Sequence, residues 1–173
     1  PELPVAVEAA NAFPHILAWK IAEEMVTPKL QELFQIYIAI MDKIDSEDLV
    51  DSFQSVITQF SEQIAPFAKD IVGYLVASFQ RMVVTNSIPD EDSENEMAAV
   101  SVLTTINRIL DTCKQDGNML LYLSEALSPV LHFCLSEDGC EYFEEGLEAL
   151  TTIIDFTPIT PSLLVFYPYL YKS

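Results

Sequence analysis

PKLQELFQIYIAIMDKIDSEDLVDSFQSVITQFSEQIAP, residues 28–66, is the stretch that decides the fold. It opens on Pro28 and closes at Pro66, where the same pattern begins again 38 residues later, a spacing typical of helical repeat arrays. In its first half, Lys29 to Lys43, the residues Leu30, Leu33, Phe34, Tyr37, Met41 and Ile44 recur at threes and fours. The acidic turn Asp45-Ser46-Glu47-Asp48 follows. In the second half, Leu49 to Ile64, the stripe is Leu49, Phe53, Val56, Phe60 and Ile64, with Ser52, Ser55, Gln59 and Glu62 opposite. Both halves have the 3.6-residue period of helices with one apolar side. Residues 34–41 are apolar on more than one side, which predicts neighbours on two or three sides, as in a stacked array. An ordinary helical bundle is the simpler alternative.

Upstream, Pro4 suits the first turn of an opening helix. Val5, Ala9, Phe13 and Ile16-Leu17 give that helix its apolar side, and Ala6, Ala9, Ala10 and Ala12 allow close approach of a neighbour. Pro14 is expected to kink it or tighten its end. Downstream of Pro66, Phe67, Ile71, Tyr74-Leu75, Ser78-Phe79 and Met82-Val83 form the next stripe, and Gly73 marks an expected close helix crossing. A helix over Met97 to Leu110 turns Val100, Leu103, Ile106, Asn107 and Leu110 inward, with Thr104, Thr105 and Arg108 nearer the rim. Asp116-Gly117-Asn118 is a turn. Met119 to Leu135 is apolar almost throughout, and Pro129 predicts a bend in it. Glu141 to Asp155 is its partner, buried through Phe143, Leu147, Leu150 and Ile154. Pro158 and Pro161 precede a last helix, Ser162 to Tyr171.

Labelling the two helices of each unit A and B gives the order B, A-B, A-B, A-B, A. The expected architecture is therefore all-α, an α-solenoid of stacked antiparallel helix pairs. Its approximate units are 1–20, 21–64, 65–112, 117–156 and 159–173. The chain starts at Pro1 without a charged leader and ends on a still-apolar helix, so it reads as an array truncated at both ends.

Eight Lys and Arg stand against 27 Asp and Glu, a net charge of −19. That balance disfavours nucleic acid as a direct ligand and favours a basic partner. Four glycines are too few for a nucleotide-binding fold. Cys113, Cys134 and Cys140 are sparse and odd in number, which fits packing residues in a reducing compartment better than a disulfide framework. Residues 156–171 are apolar but shorter than a membrane span and broken by Pro158, Pro161 and Pro168, so no membrane insertion is expected.

Nothing in the sequence assembles a catalytic constellation, and no cofactor, metal or enzymatic activity is expected. The run Asp90-Glu91-Asp92-Ser93-Glu94-Asn95-Glu96 has five acids in seven residues. Read as a calcium loop it fails, with Asn95 in place of the glycine and Ser101 in place of the closing glutamate. It reads as a solvated insertion that also places acids at a helix N-terminus. Glu144 and Glu148 share one helix face, where like charges repel unless something basic binds. His132 and Cys134 point to different sides of a helix and do not form a ligand pair.

Several motifs carry a family resemblance. Leu3-Pro4-Val5-Ala6-Val7-Glu8-Ala9-Ala10-Asn11-Ala12 resembles the LPVxVEAAxAL helix of the importin-beta superfamily, in its importin-7/importin-8 branch. Residues 66–79, the acidic insertion with residues 98–106, and the Glu141-Tyr142-Phe143-Glu144-Glu145 helix start are similar to the same region. Pro161-Ser162-Leu163-Leu164 departs from it, lacking the tryptophan that many members carry there.

The resemblance implies a right-handed HEAT-repeat solenoid within a nuclear import receptor that shuttles between nucleus and cytoplasm. It implies basic cargo of the histone or ribosomal-protein type, with Ran-GTP and nucleoporins bound by the full-length protein rather than mainly by this stretch. It also places B helices on the concave side. The candidate basic-cargo contacts are then Glu47, Asp48, Asp51, Glu62, Asp90, Glu91, Asp92, Glu94, Glu96, Glu141, Glu144, Glu145 and Glu148. A HEAT-like scaffold or adaptor of another assembly and an acidic histone-chaperone-like module are the alternatives.

Overall fold

Prolines and acidic turns cut the chain into helices. The computed structural model describes residues 2–44, 46–85 and 92–171. Its helices are α1 (Leu3–Leu17), α2 (Lys20–Val26), α3 (Leu30–Met41), α4 (Glu47–Gln59), α5 (Ala68–Thr85), α6 (Asp92–Cys113), α7 (Gly117–Cys134), α8 (Phe143–Phe156) and α9 (Pro161–Leu164). Short 3-10 turns link several of them, and Pro28 and Pro66 each sit inside one, just ahead of α3 and α5. The turn around Asp116 is also a cap, because the Asp116 carboxylate accepts the backbone N–H groups of Asn118 and Met119 at 3.1 and 3.0 Å. Among the described residues no single helix is long and apolar enough to cross a membrane.

The helices form two layers. In one, α3 packs on α5 and α5 on α7; in the other, α1 packs on α4, α4 on α6 and α6 on α8. The pairs α3/α4, α5/α6 and α7/α8 join the layers. Apart from the short α2 and α9, each helix thus touches its counterpart in the neighbouring pair, an all-α arrangement of stacked helix pairs consistent with a HEAT-like solenoid. The core lies between the layers. Phe53 stacks on Tyr37 at 5.2 Å and meets Phe34 edge-on at 6.0 Å, joining α3 to α4. Phe79 does the same for α5, meeting Phe133 of α7 at 6.1 Å and Tyr142 at 5.3 Å.

Pro14 lies inside α1 and has a definite consequence. Proline has no N–H for the carbonyl four residues back, here that of Ala10. Two hydroxyls from the next unit serve that oxygen instead: Tyr37 Oη donates to it at 2.8 Å and Ser52 Oγ at 2.7 Å. Ala10 is the buried member of the alanine run, and Ala9 and Ala12 are exposed. The expected close approach therefore takes place at a single residue.

Other expectations are corrected. Gly73 is exposed and nothing lies within 4 Å of where its Cβ would stand, so it marks no crossing. The tight crossing is at Gly146, where a Cβ would fall 2.6 Å from Cys134 Cβ. Thr105 is fully buried rather than at the rim, its hydroxyl donated to the Ser101 carbonyl at 2.8 Å. Ile36 and Ala39 stay exposed, so α3 is covered on fewer sides than its composition suggests. The last helix stops at Leu164 and the chain resumes as a 3-10 turn over Tyr167–Tyr171. Pro168 accounts for the break, since it can neither donate an N–H nor let Tyr167 stay freely helical. The helix α2 was not legible in the sequence.

Tyr37→Phe and Ser52→Ala should each cost about 0.5–1.5 kcal/mol in urea unfolding, because the other hydroxyl still serves the Ala10 carbonyl. The double variant should lose more than the sum, and adding Pro14→Ala should reduce that excess; plain additivity would refute the account. Gly146→Ala should destabilise by about 1–3 kcal/mol. Gly73→Ala should stabilise by about 0.5–1 kcal/mol through helix propensity alone, and opposite signs at the two sites in thermal melts are the check.

Candidate functional site

The layer of α1, α4, α6 and α8 carries the candidate residues. On α8 the outward stripe is Glu144, Glu148, Thr151 and Asp155, all exposed, with Glu141 exposed in the turn just before it. Glu144 lies in the first turn of α8, where the unpaired N–H groups favour negative charge. On α4, Asp48 and Asp51 are exposed, and Glu62 is exposed in the turn that follows. Glu96, near the start of the described part of α6, is half-buried. Asp90 and Glu91 lie outside the described residues, and so do the side chains of Glu47, Asp92 and Glu94.

The acids do not form one continuous patch. The helix α6 separates α4 from α8, and its outward stripe is Ser101, Thr104, Arg108 and Asp111. Two acidic strips thus flank a nearly neutral one.

Glu145 is not an outward group. It is half-buried, and its Oε2 is enclosed without a hydrogen-bond partner. Its charge acts on Cys134. Burial first, and the Glu145 carboxylate second, push the Cys134 thiol up to about 12. Burial likewise raises the Cys113 thiol, whereas Cys140 is exposed. His132 lies against Phe166, ring centres 4.5 Å apart, and holds the α9 segment to α7 as a packing residue.

The sequence places Asn107 on the inward side of α6, and the structure gives it a larger role. Its Nδ2 donates to the Glu145 carbonyl at 3.1 Å and to Glu148 Oε2 at 3.0 Å, bridging α6 to α8. One carboxylate of the acidic stripe is therefore already oriented by a neutral donor. A polar residue in an otherwise apolar stripe demands a partner, and that was the signal available in the sequence. Arg108, placed at the rim by its spacing, is exposed there.

Among the described residues, no group of three or more His, Cys, Asp or Glu is placed to hold a metal ion. No family model matches the chain, and no solved structure matches it significantly. Curated relatives do. The chain is 30% identical over 159 residues to an importin beta-like SAD2 homolog of Arabidopsis thaliana, covering 91% of this chain and 15% of that protein. It is 26% identical over 165 residues to a probable importin-7 homolog of Dictyostelium discoideum, covering 95% of this chain and 15% of that one. With importin-8 of Homo sapiens the identity is 24% over 172 residues, 99% of this chain and 16% of the relative. The chain thus spans about one-sixth of the length of these relatives.

The thiols offer a direct check of burial. At pH 8 in the native state, one equivalent of maleimide should react quickly, at Cys140, with Cys113 and Cys134 labelled only on unfolding; rapid native labelling at either would refute their burial. The raised thiol pKa favours the neutral form in the fold, so its contribution to stability is complete below the ordinary 9.0 and is lost as pH rises toward about 12. Two layers of stacked helix pairs, together with the homology to importins, make this chain a non-enzymatic, all-helical domain related to the importin-beta family.

Proposed function

We propose that this domain is part of a nuclear transport receptor of the importin-7/importin-8 kind, and that it helps to carry basic cargo between cytoplasm and nucleus. The observation that carries the reading is the similarity to importins along nearly the whole chain. The acid-bearing layer supports it: α1, α4, α6 and α8 all carry acids, and Arg108 is their sole Lys or Arg. In this reading the units, near 1–20, 21–64, 65–112, 117–156 and 159–173, continue a right-handed HEAT superhelix with that layer on its concave side. Ran-GTP and nucleoporins engage other parts of the complete receptor.

The cargo is held by many weak screened contacts, from Asp48, Asp51 and Glu62 on one side of α6 and from Glu141, Glu144 and Glu148 on the other. The same reading counts Glu47, Asp90, Glu91, Asp92, Glu94 and Glu96 as cargo contacts, from the sequence alone. Glu145, with an enclosed carboxylate oxygen, contributes at most through the overall field.

The test is binding of a Lys/Arg-rich histone-tail peptide across a series of salt concentrations. Affinity should fall steadily with salt. The triple variant Glu141→Gln, Glu144→Gln and Glu148→Gln should weaken binding about tenfold at low salt, the sum of three exposed pairs. Binding indifferent to both would mean that the layer sets spacing and curvature and that cargo lies elsewhere.

A further inference from the structure

Between α4 and α6 lies an open groove of about 410 Å³, lined by Gln54, Ser55, Thr58, Gln59 and Arg108. Its chemistry differs from that of the acidic strips on either side. Arg108 makes no hydrogen bond or ion pair among the described residues, and Asp111, one turn on in α6, is paired instead with Lys114 at 4.0 Å. The hydroxyls have spent their protons on their own helix, Ser55 on the Asp51 carbonyl and Thr58 on the Gln54 carbonyl, both at 2.9 Å. The Gln59 amide donates to Glu23 Oε2 at 3.2 Å. What remains open to a ligand is the full guanidinium fork, the Gln54 carboxamide, and several oxygens that accept.

We infer that this groove receives an oxyanion, carboxylate or phosphate, carried on an extended polypeptide that crosses the layer. A planar guanidinium is best satisfied by two parallel bonds to one oxyanion. The acceptor oxygens beside it suit the backbone N–H groups of the segment that bears that oxyanion. A uniformly basic segment, by contrast, meets repulsion at Arg108. The proposal rests on the reading above only in that a polypeptide lies across this layer, and it adds a sequence requirement. Packed helices are about 8–10 Å apart, and an extended chain advances about 3.3–3.6 Å per residue. The oxyanion over α6 is therefore flanked, about three residues away, by a cation over Glu148 of α8 on one side and, on the other, by one that reaches past the neutral wall of α4 to Asp51, a turn before Ser55. The partner is a mixed-charge segment of the form Lys-x-x-Glu-x-x-Lys, or the same with phosphoserine at its centre. The chain's negative field opposes an isolated anion at long range, but that field is screened beyond about 8 Å at physiological salt, and the Arg108 contact is local.

The experiment uses four peptides of one Lys-flanked frame with Glu, Gln, phosphoserine or Ser at the centre, and measures their affinities at 0.15 M salt against the wild-type chain and Arg108→Gln. The wild type should prefer Glu over Gln, or phosphoserine over Ser, by about three- to tenfold, as expected for an exposed charge-assisted pair. A preference for both anions assigns carboxylate as sufficient, and a preference for phosphoserine alone assigns phosphate. Arg108→Gln should erase the preference without weakening the Gln and Ser peptides. No preference in the wild type, or one that survives Arg108→Gln, overturns the proposal. If no Lys-flanked peptide binds, the cargo reading fails, and the groove is judged separately with a phosphoserine peptide whose lysines are replaced by glutamine. That probe should shift the Arg108 Nε–Hε resonance in a fast-exchange NMR titration, and an unmoved resonance overturns the inference.

Discussion

The carbonyl of Ala10 is where the first helix of the array becomes joined to the rest. Pro14 withholds the hydrogen bond that would close it within α1. A bare carbonyl buried between helices costs about 1–3 kcal/mol, so the fold needs donors from elsewhere. Tyr37 supplies one from α3 and Ser52 another from α4. Those hydroxyls also lie 2.9 Å from each other, so three helices meet at one oxygen. That contact aligns α1 with α4, and the same alignment continues through α6 to α8.

Neutral hydrogen bonds of this kind tie the layer together more than ion pairs do. Gln59 reaches Glu23, and Asn107 reaches Glu145 and Glu148. In a chain with eight bases and 27 acids, most carboxylates have no cation of their own to meet. Gln and Asn donors orient Glu23 and Glu148, while Asp48, Asp51, Glu62, Glu141, Glu144 and Asp155 are exposed and have no cation among the described residues. The acidity of the surface is therefore largely uncommitted charge, available to whatever lies across it.

Much of this was legible in the sequence because the helical period and the proline spacing report burial directly. The stripe of α4 is legible residue for residue, since Leu49, Phe53, Val56, Phe60 and Ile64 are all buried, and the B–A–B order follows from the alternation of acidic turns with prolines. On α8 the buried side is Gly146, Ala149, Leu150 and Ile153, so of the expected Phe143, Leu147, Leu150 and Ile154 only Leu150 is fully covered. What could not be read depended on neighbours in space. Gly73 and Gly146 are both helical glycines, and only the position of Cys134 tells which one marks a crossing. Thr105 looks like a rim residue by type, yet its own helix satisfies the hydroxyl, so it can be fully buried. The helix α2 is seven residues long, too short to display a period. Glu145 and Glu148 look alike in the sequence. Their fates diverge because one carboxylate has an enclosed oxygen without a partner and the other accepts from Asn107.

The ties at Ala10, Glu23 and Asn107 span between 27 and 42 residues of chain, about one unit each. Principal contacts likewise run only from one helix pair to the next. Mechanically, such a molecule is a set of joints in series rather than a single block. A small rotation at each joint adds along the array, so its ends can move through a large arc while no local contact is strained beyond its range. For a body built in this way, flexing is the motion that costs least, because the core between each two neighbouring pairs is kept.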